Sequence, residues 1–249
     1  NLYAKIAVPA VVGVALAIGG VGPAAAETPK RGGTLLYVIP RNPPSADAPR
    51  ETTFGPIHPF AQFYSVLTRV NPDNPSSPTD LVCDLCTEFP KATNDGKRFT
   101  FKIRKGVKFS DGSTLTAHDV KATFDKIIFP PEGVPSNRKA MFRMVKSIEV
   151  PDDHTIVFTL DFPSGAFIPS MGMPFNFIYS KKDLDTHGYE WHKKNVNGSG
   201  AFIFVEHVAG SHVSGKRNPN YHHAGKPYLD GFRAISAPKM SVRLQAIRG

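Results

Sequence analysis

The chain has 249 residues, enough for one large domain or two small ones, and its 41% hydrophobic and 10% aromatic content excludes a fibrous or broadly disordered chain. The formal net charge is +9, but the basic residues are scattered as pairs at 30–31, 97–98, 138–139, 181–182, 193–194 and 216–217. No nucleic-acid module accompanies them, so the charge reads as a solvated surface and no nucleic-acid partner is expected.

The first 26 residues differ from the rest. "KIAVPAVVGVALAIGGVGPAAAE" has a single cation, Lys5, then an uncharged run, then three alanines before Glu27. That is the layout of a secretory signal peptide. Residues 6–26 are also long enough, at 1.5 Å per residue, to cross a hydrocarbon core of about 30 Å, so a retained membrane anchor is the other expectation. Residues 27–249 are expected to form the exported, periplasmic part.

"GGTLLYVIP" at 32–40 reads as a buried first strand stopped by Pro40. "PFAQFYSVLTRV" carries Phe60, Phe63, Tyr64, Leu67 and Val70 at helical spacing and predicts a helix, and "NPDNPSSPTD" at 71–80 is a loop. Cys83 and Cys86 are the only cysteines. In an exported chain the pair is compatible with a tight disulfide, two unlinked small core residues or a redox dithiol. "DGKRFTFKI" is a turn and a strand with Phe99, Phe101 and Ile103 on one face; Gly106 and Asp111-Gly112 then turn the chain. Thr116 is the predicted N-cap of a helix, with Asp119 three residues on and Val120, Phe124, Ile127 and Ile128 facing the core.

Farther on, "SIEVPDDHTIVFTL" predicts two strands hinged at 151–153, and "PSGAFIPSMG" a short helix. Two strands flank Ala209-Gly210, "DGFRAISAP" is another, and "KMSVRLQAIRG" opens a helix. Strands and helices mix without a strict βαβ repeat. No G-x-S-x-G, H-E-x-x-H or Walker motif is present, so no catalytic residue, cofactor or metal site is expected. Six histidines fall late, His187, His192, His207, His212, His222 and His223, but their spacing matches no ligand pattern; they read as surface and loop residues. Trp191 is read as a core plug rather than a pocket wall.

Two ordered blocks carry a family resemblance. "DLVCDLCTEFPKATNDGKRFTFKIRKGVKFSDGSTLTAHDVKATFDKI" resembles the signature region of the bacterial extracellular solute-binding proteins of family 5, the dipeptide, oligopeptide and nickel receptors of ABC importers. Here Ser110 replaces a common His, and Cys83 and Cys86 a usual Pro and Ala. "NGSGAFIFVEHVAGSHVSGKRNPNYHHAGKPYLDGFR" is similar to a second family block, with Ala201 where Pro is usual. "RGGTLLYVI" at 31–39 resembles the mature N-terminus.

The resemblance implies an α/β, type II periplasmic-binding-protein-like fold, with this chain as lobe one of a two-lobed Venus flytrap and the second lobe missing. It implies a binding protein and not an enzyme. Its partners would be a peptide or other small solute and the importer's membrane subunits. Cleft-facing residues are nominated in the loop after the first strand, Arg41 and Asn42, and in the glycine turn, Asn197, Ser199 and Gly200. The competing reading is a truncated homologue anchored by residues 6–26, an accessory subunit of another inner-membrane complex with no ligand cycle.

Overall fold

The computed structural model describes residues 28–248, and the leader or anchor expected at 1–26 lies outside them. Among the described residues no helix is long and apolar enough to cross a membrane. The first apolar run forms strand β1, Thr34–Ile39. It is not the buried strand expected: only Ile39 is buried, and Leu36 is 62% exposed. Among the described strands β1 is a sheet edge with a single neighbour, so its outer side has nothing to pack against.

The helix predicted over 60–70 is cut short. Helix α1 is Ile57–Phe60, a 3-10 turn covers Ala61–Phe63, and Tyr64 is extended at φ −115° and ψ 151°. The apolar spacing served two cores rather than one helix face. Phe60, Phe63 and Tyr64 belong to one core and Leu67 to the other. A continuous helix would have carried both sets to one side.

Strand β2, Thr68–Val70, pairs antiparallel with β3, Leu81–Cys83, around the predicted loop. Two short strands follow, β4 at Ala92–Thr93 and β5 at Arg98–Lys102. Gly106 and Gly112 take φ of 76° and 87°, left-handed conformations that glycine adopts without a Cβ penalty, and so make the two corners before the next helix. Helix α2, Ala117–Ile128, starts where its cap predicts. The Thr116 Oγ1 accepts from His118 N at 3.3 Å, and Thr116 N donates to the Asp119 carboxylate at 2.7 Å. Thr116→Ala is expected to cost about 1 kcal/mol, measured by urea unfolding; an unchanged midpoint would show that the cap contributes nothing.

Strands β6, Val145–Asp152, and β7, Thr155–Leu160, complete an antiparallel sheet of order β4-β5-β7-β6. Val120, Phe124, Ile127 and Ile128 of α2 pack in its core. Phe101 and Phe124 both meet Phe158 edge-on, at 5.8 and 5.3 Å between ring centres. Helix α3 is Phe167–Met171. Helix α4, Lys181–His187, was not foreseen: its sequence KKDLDTH offers only Leu184 to a core, so no apolar period marks it.

Strands β8, Phe202–Val208, β9, His212–Arg217, and β10, Gly231–Ser236, form the second sheet, of order β1-β10-β9-β8. Strand β1 runs parallel to β10 and the other pairs are antiparallel. Phe60, Phe63, Phe202 and Phe232 fill its core. Helix α5, Met240–Arg248, ends the described chain.

Candidate functional site

The chain crosses between the two cores twice, near Tyr64–Leu67 and near Phe175–Tyr179. The crossings are tied together: Ile178 N donates to Ser65 O at 3.0 Å, and Gly200 N donates to Phe63 O at 2.9 Å. A Cβ on Gly200 would lie 2.5 Å from the Phe63 carbonyl carbon, so glycine is required for that close approach. Beside these crossings lies a cavity of about 380 Å³, lined by Tyr64, Val66 and Phe177 together with the polar side chains Gln62, Arg69, Asp84 and Tyr221. An apolar hollow with a few convergent polar groups is the form that small-ligand sites take.

Asp84 is the most constrained of these groups. It is 3% exposed and sits between Cys83 and Cys86, which are joined as a disulfide. That loop is closed onto β2's approach by backbone bonds from Asp84 N and Cys86 N to Leu67 O, at 3.2 and 3.3 Å. The Asp84 Oδ2 accepts from Val66 N at 3.0 Å, and Oδ1 lies 3.2 Å from His222 Nε2 and 2.9 Å from His223 Nε2. Burial pushes the carboxyl up, but hydrogen bonds from the two imidazoles outweigh it and hold Asp84 well below the usual carboxylate range. Burial pushes the Tyr221 hydroxyl up to about 12, and the Asp84 charge adds to that rise. Arg69 Nε is buried with no hydrogen-bond partner among the described residues.

The five nominated residues are not brought together, and none lines this cavity. Arg41 is exposed, and Asn42 caps the β8–β9 turn, its Oδ1 accepting from Gly210 N at 2.9 Å and contacting His207 Nε2 at 3.1 Å. Asn197 is 6% exposed, and both ends of its amide are hydrogen-bonded. Its Nδ2 donates to Asp183 at 2.7 Å, and its Oδ1 accepts from Ser110 Oγ and Asp111 N at 2.9 and 3.2 Å. Ser199 is 1% exposed; its carbonyl accepts from Ser65 Oγ, while its own Oγ has no partner among the described residues. The glycine turn therefore fastens α4 and the 106–112 corner to the crossing.

The reading of the late histidines as surface and loop residues holds for His187, which is exposed, and is corrected for three others. His192 is fully buried, His212 is 9% exposed, and the His222 side chain is 6% exposed against Asp84. Trp191 is half-buried and stacks on His187 at 5.0 Å, and the core position belongs to His192 beside it. Asp84, Arg69, Tyr221, His222 and His223 were missed as a group. Their only sequence signals were a carboxylate inside C-x-x-C and an adjacent pair of histidines.

Two sheet-and-helix cores linked by two crossings make an α/β architecture. The chain matches the family described as "Bacterial extracellular solute-binding proteins, family 5 Middle" over residues 80–249, and it belongs to that family. It is 29% identical over 198 residues to the probable D,D-dipeptide-binding periplasmic protein DdpA of Escherichia coli (strain K12), covering 75% of this chain and 36% of that protein. It is 31% identical over 145 residues to the oligopeptide-binding protein AppA of Bacillus subtilis (strain 168), covering 56% of this chain and 26% of that protein.

Among solved structures, AppA from Bacillus subtilis in complex with a nonapeptide superposes with a TM-score of 0.78 at 26% identity, over 89% of this chain and 44% of that one. The periplasmic binding protein DppA from Helicobacter pylori in complex with the peptide STSA gives 0.77 at 27% identity, over 88% and 45%. The fold is thus the type II periplasmic-binding-protein fold, of which the chain covers a single lobe's share. It spans about a third of the length of curated relatives it matches.

Proposed function

We propose that the chain is part of the solute-binding component of an ABC-type importer for peptides or related small solutes, exported to the periplasm and working with the importer's membrane subunits. The observation that carries this is the family match over residues 80–249, supported by the likeness to two peptide-bound receptors. Such a protein acts by binding and closure rather than by chemistry on its ligand. The junction cavity would supply one wall of the solute pocket, with Phe177 and Val66 taking apolar surface and Arg69 offering its guanidinium to a carboxylate or carbonyl.

The test is calorimetric titration of the protein carrying this chain with dipeptides, tripeptides and an oligopeptide mixture. Binding at micromolar Kd or tighter is expected for at least one peptide class. Arg69→Ala should weaken it by about 10-fold or more, the loss of one hydrogen bond to a charged group. No binding by any peptide class would overturn the reading, and unchanged affinity in the variant would remove Arg69 from it.

A further inference from the structure

We propose that Asp84, His222 and His223 form a binding site for a divalent transition-metal cation of the zinc type, through Asp84 Oδ1 and the Nε2 atoms of both histidines. The site shares Asp84 with the cavity assigned above to the solute, but its ligand is a cation and its test uses no solute, so its failure is distinguishable from that of the peptide-binding reading.

The three donors converge from segments far apart in the chain. His222 Nε2 and His223 Nε2 stand 3.2 and 2.9 Å from Asp84 Oδ1, and the ligand atoms all lie within 4.8 Å of one another. Two ligands held about 2.0–2.1 Å from a tetrahedral zinc are about 3.3 Å apart. The two carboxylate–imidazole separations are within a few tenths of an ångström of that spacing. One carboxylate and two imidazoles are a donor set suited to zinc and its neighbours and unsuited to calcium or magnesium.

The surroundings hold this set in place. Asp84 is fixed from behind by Val66 N on Oδ2 and by the disulfide-closed loop, so Oδ1 is the oxygen left for the histidines. The two rings are 4.4 Å apart and both lie against Tyr221, at 4.7 and 5.1 Å. Both imidazole Nε2 atoms face one carboxylate oxygen, the arrangement a shared cation would bridge. The His223 side chain, 23% exposed, gives a cation its way in, whereas His222 and Asp84 are 6% and 5% exposed. Three protein ligands leave a fourth position for water or an outside donor, the open arrangement rather than the closed structural one.

The test is calorimetry with Zn²⁺ alone on protein first stripped with a chelator, repeated with Co²⁺ by visible absorption. One Zn²⁺ per chain is expected at this cluster. His223→Gln should weaken binding at least about 10-fold and remove the tetrahedral Co²⁺ bands. His223 is the most exposed of the three, so that variant keeps the fold, which circular dichroism verifies; His222→Gln, also checked for folding, serves as the second variant. Failure of the native protein to bind Zn²⁺, or an unchanged Kd in both folded variants, would overturn the site.

Discussion

Lys126→Ala should remove about 3–5 kcal/mol of folding stability, the cost of leaving one member of a buried ion pair without its partner. Lys126 projects from α2, the helix of the first core, and its Nζ reaches both oxygens of Asp47 at 2.8 Å. Asp47 stands in the loop after β1, beside the second core. The two side chains are 1% and 2% exposed. Tyr179 completes the group: its hydroxyl donates to Asp47 Oδ1 at 3.0 Å, and Lys126 Nζ lies 4.6 Å from the centre of its ring. Burial pulls the Lys126 ammonium below its ordinary value while the Asp47 charge pushes it back. Truncating the lysine leaves the carboxylate with hydrogen bonds but no countercharge.

The double variant Asp47→Leu/Lys126→Met separates the charge from the packing. Replacing a buried pair by apolar residues of similar size is often neutral, so the double variant should recover most of the loss. Urea unfolding of the native protein, the single variants Asp47→Leu and Lys126→Met, and the double variant gives the full cycle. A loss below 1 kcal/mol for Lys126→Ala would show that water reaches the pair and that it does not pin the two cores together.

What the sequence made legible was local. Strand β5 and helix α2 could be read because their apolar residues keep a strict period and because Thr116 with Asp119 marks the helix start. Period alone misled at residues 60–70, where one stripe of Phe, Tyr and Leu was divided between two cores. It was silent at α4, whose helix is held by Ser180 capping Asp183 N and by Lys181 N donating to Asp119, contacts with no apolar signature. The family resemblance gave the fold, but a shared pattern fixes positions and not side-chain directions. Asn197 and Ser199 lie in such a pattern and point into the interior. The cluster at Asp84 was the least legible, since 138 residues separate it from His222 and only the folded chain places them side by side.

A second large effect is expected from acid. Lowering the pH from 7 to 4.5 should cost the native protein about 2–3 kcal/mol through His192 alone. This ring is fully buried, stacked on Tyr179 at 4.2 Å, with neither nitrogen hydrogen-bonded among the described residues. Burial, reinforced by the nearby Lys126 charge, lowers its pKa from 6.5 to about 3. Between those values the unfolded chain binds a proton that the folded one refuses. Stability is therefore complete above pH 6.5 and falls as pH drops toward 3, by about 1.4 kcal/mol per unit. His192→Phe keeps an aromatic ring in the same slot and removes the proton site. The carboxylates titrate alike in both proteins, so the difference between their stability-versus-pH curves isolates the histidine. The variant should lose about 2–3 kcal/mol less between pH 7 and 4.5. Parallel curves would mean that His192 opens to solvent and takes up its proton without unfolding, and that the junction between the cores loosens on its own.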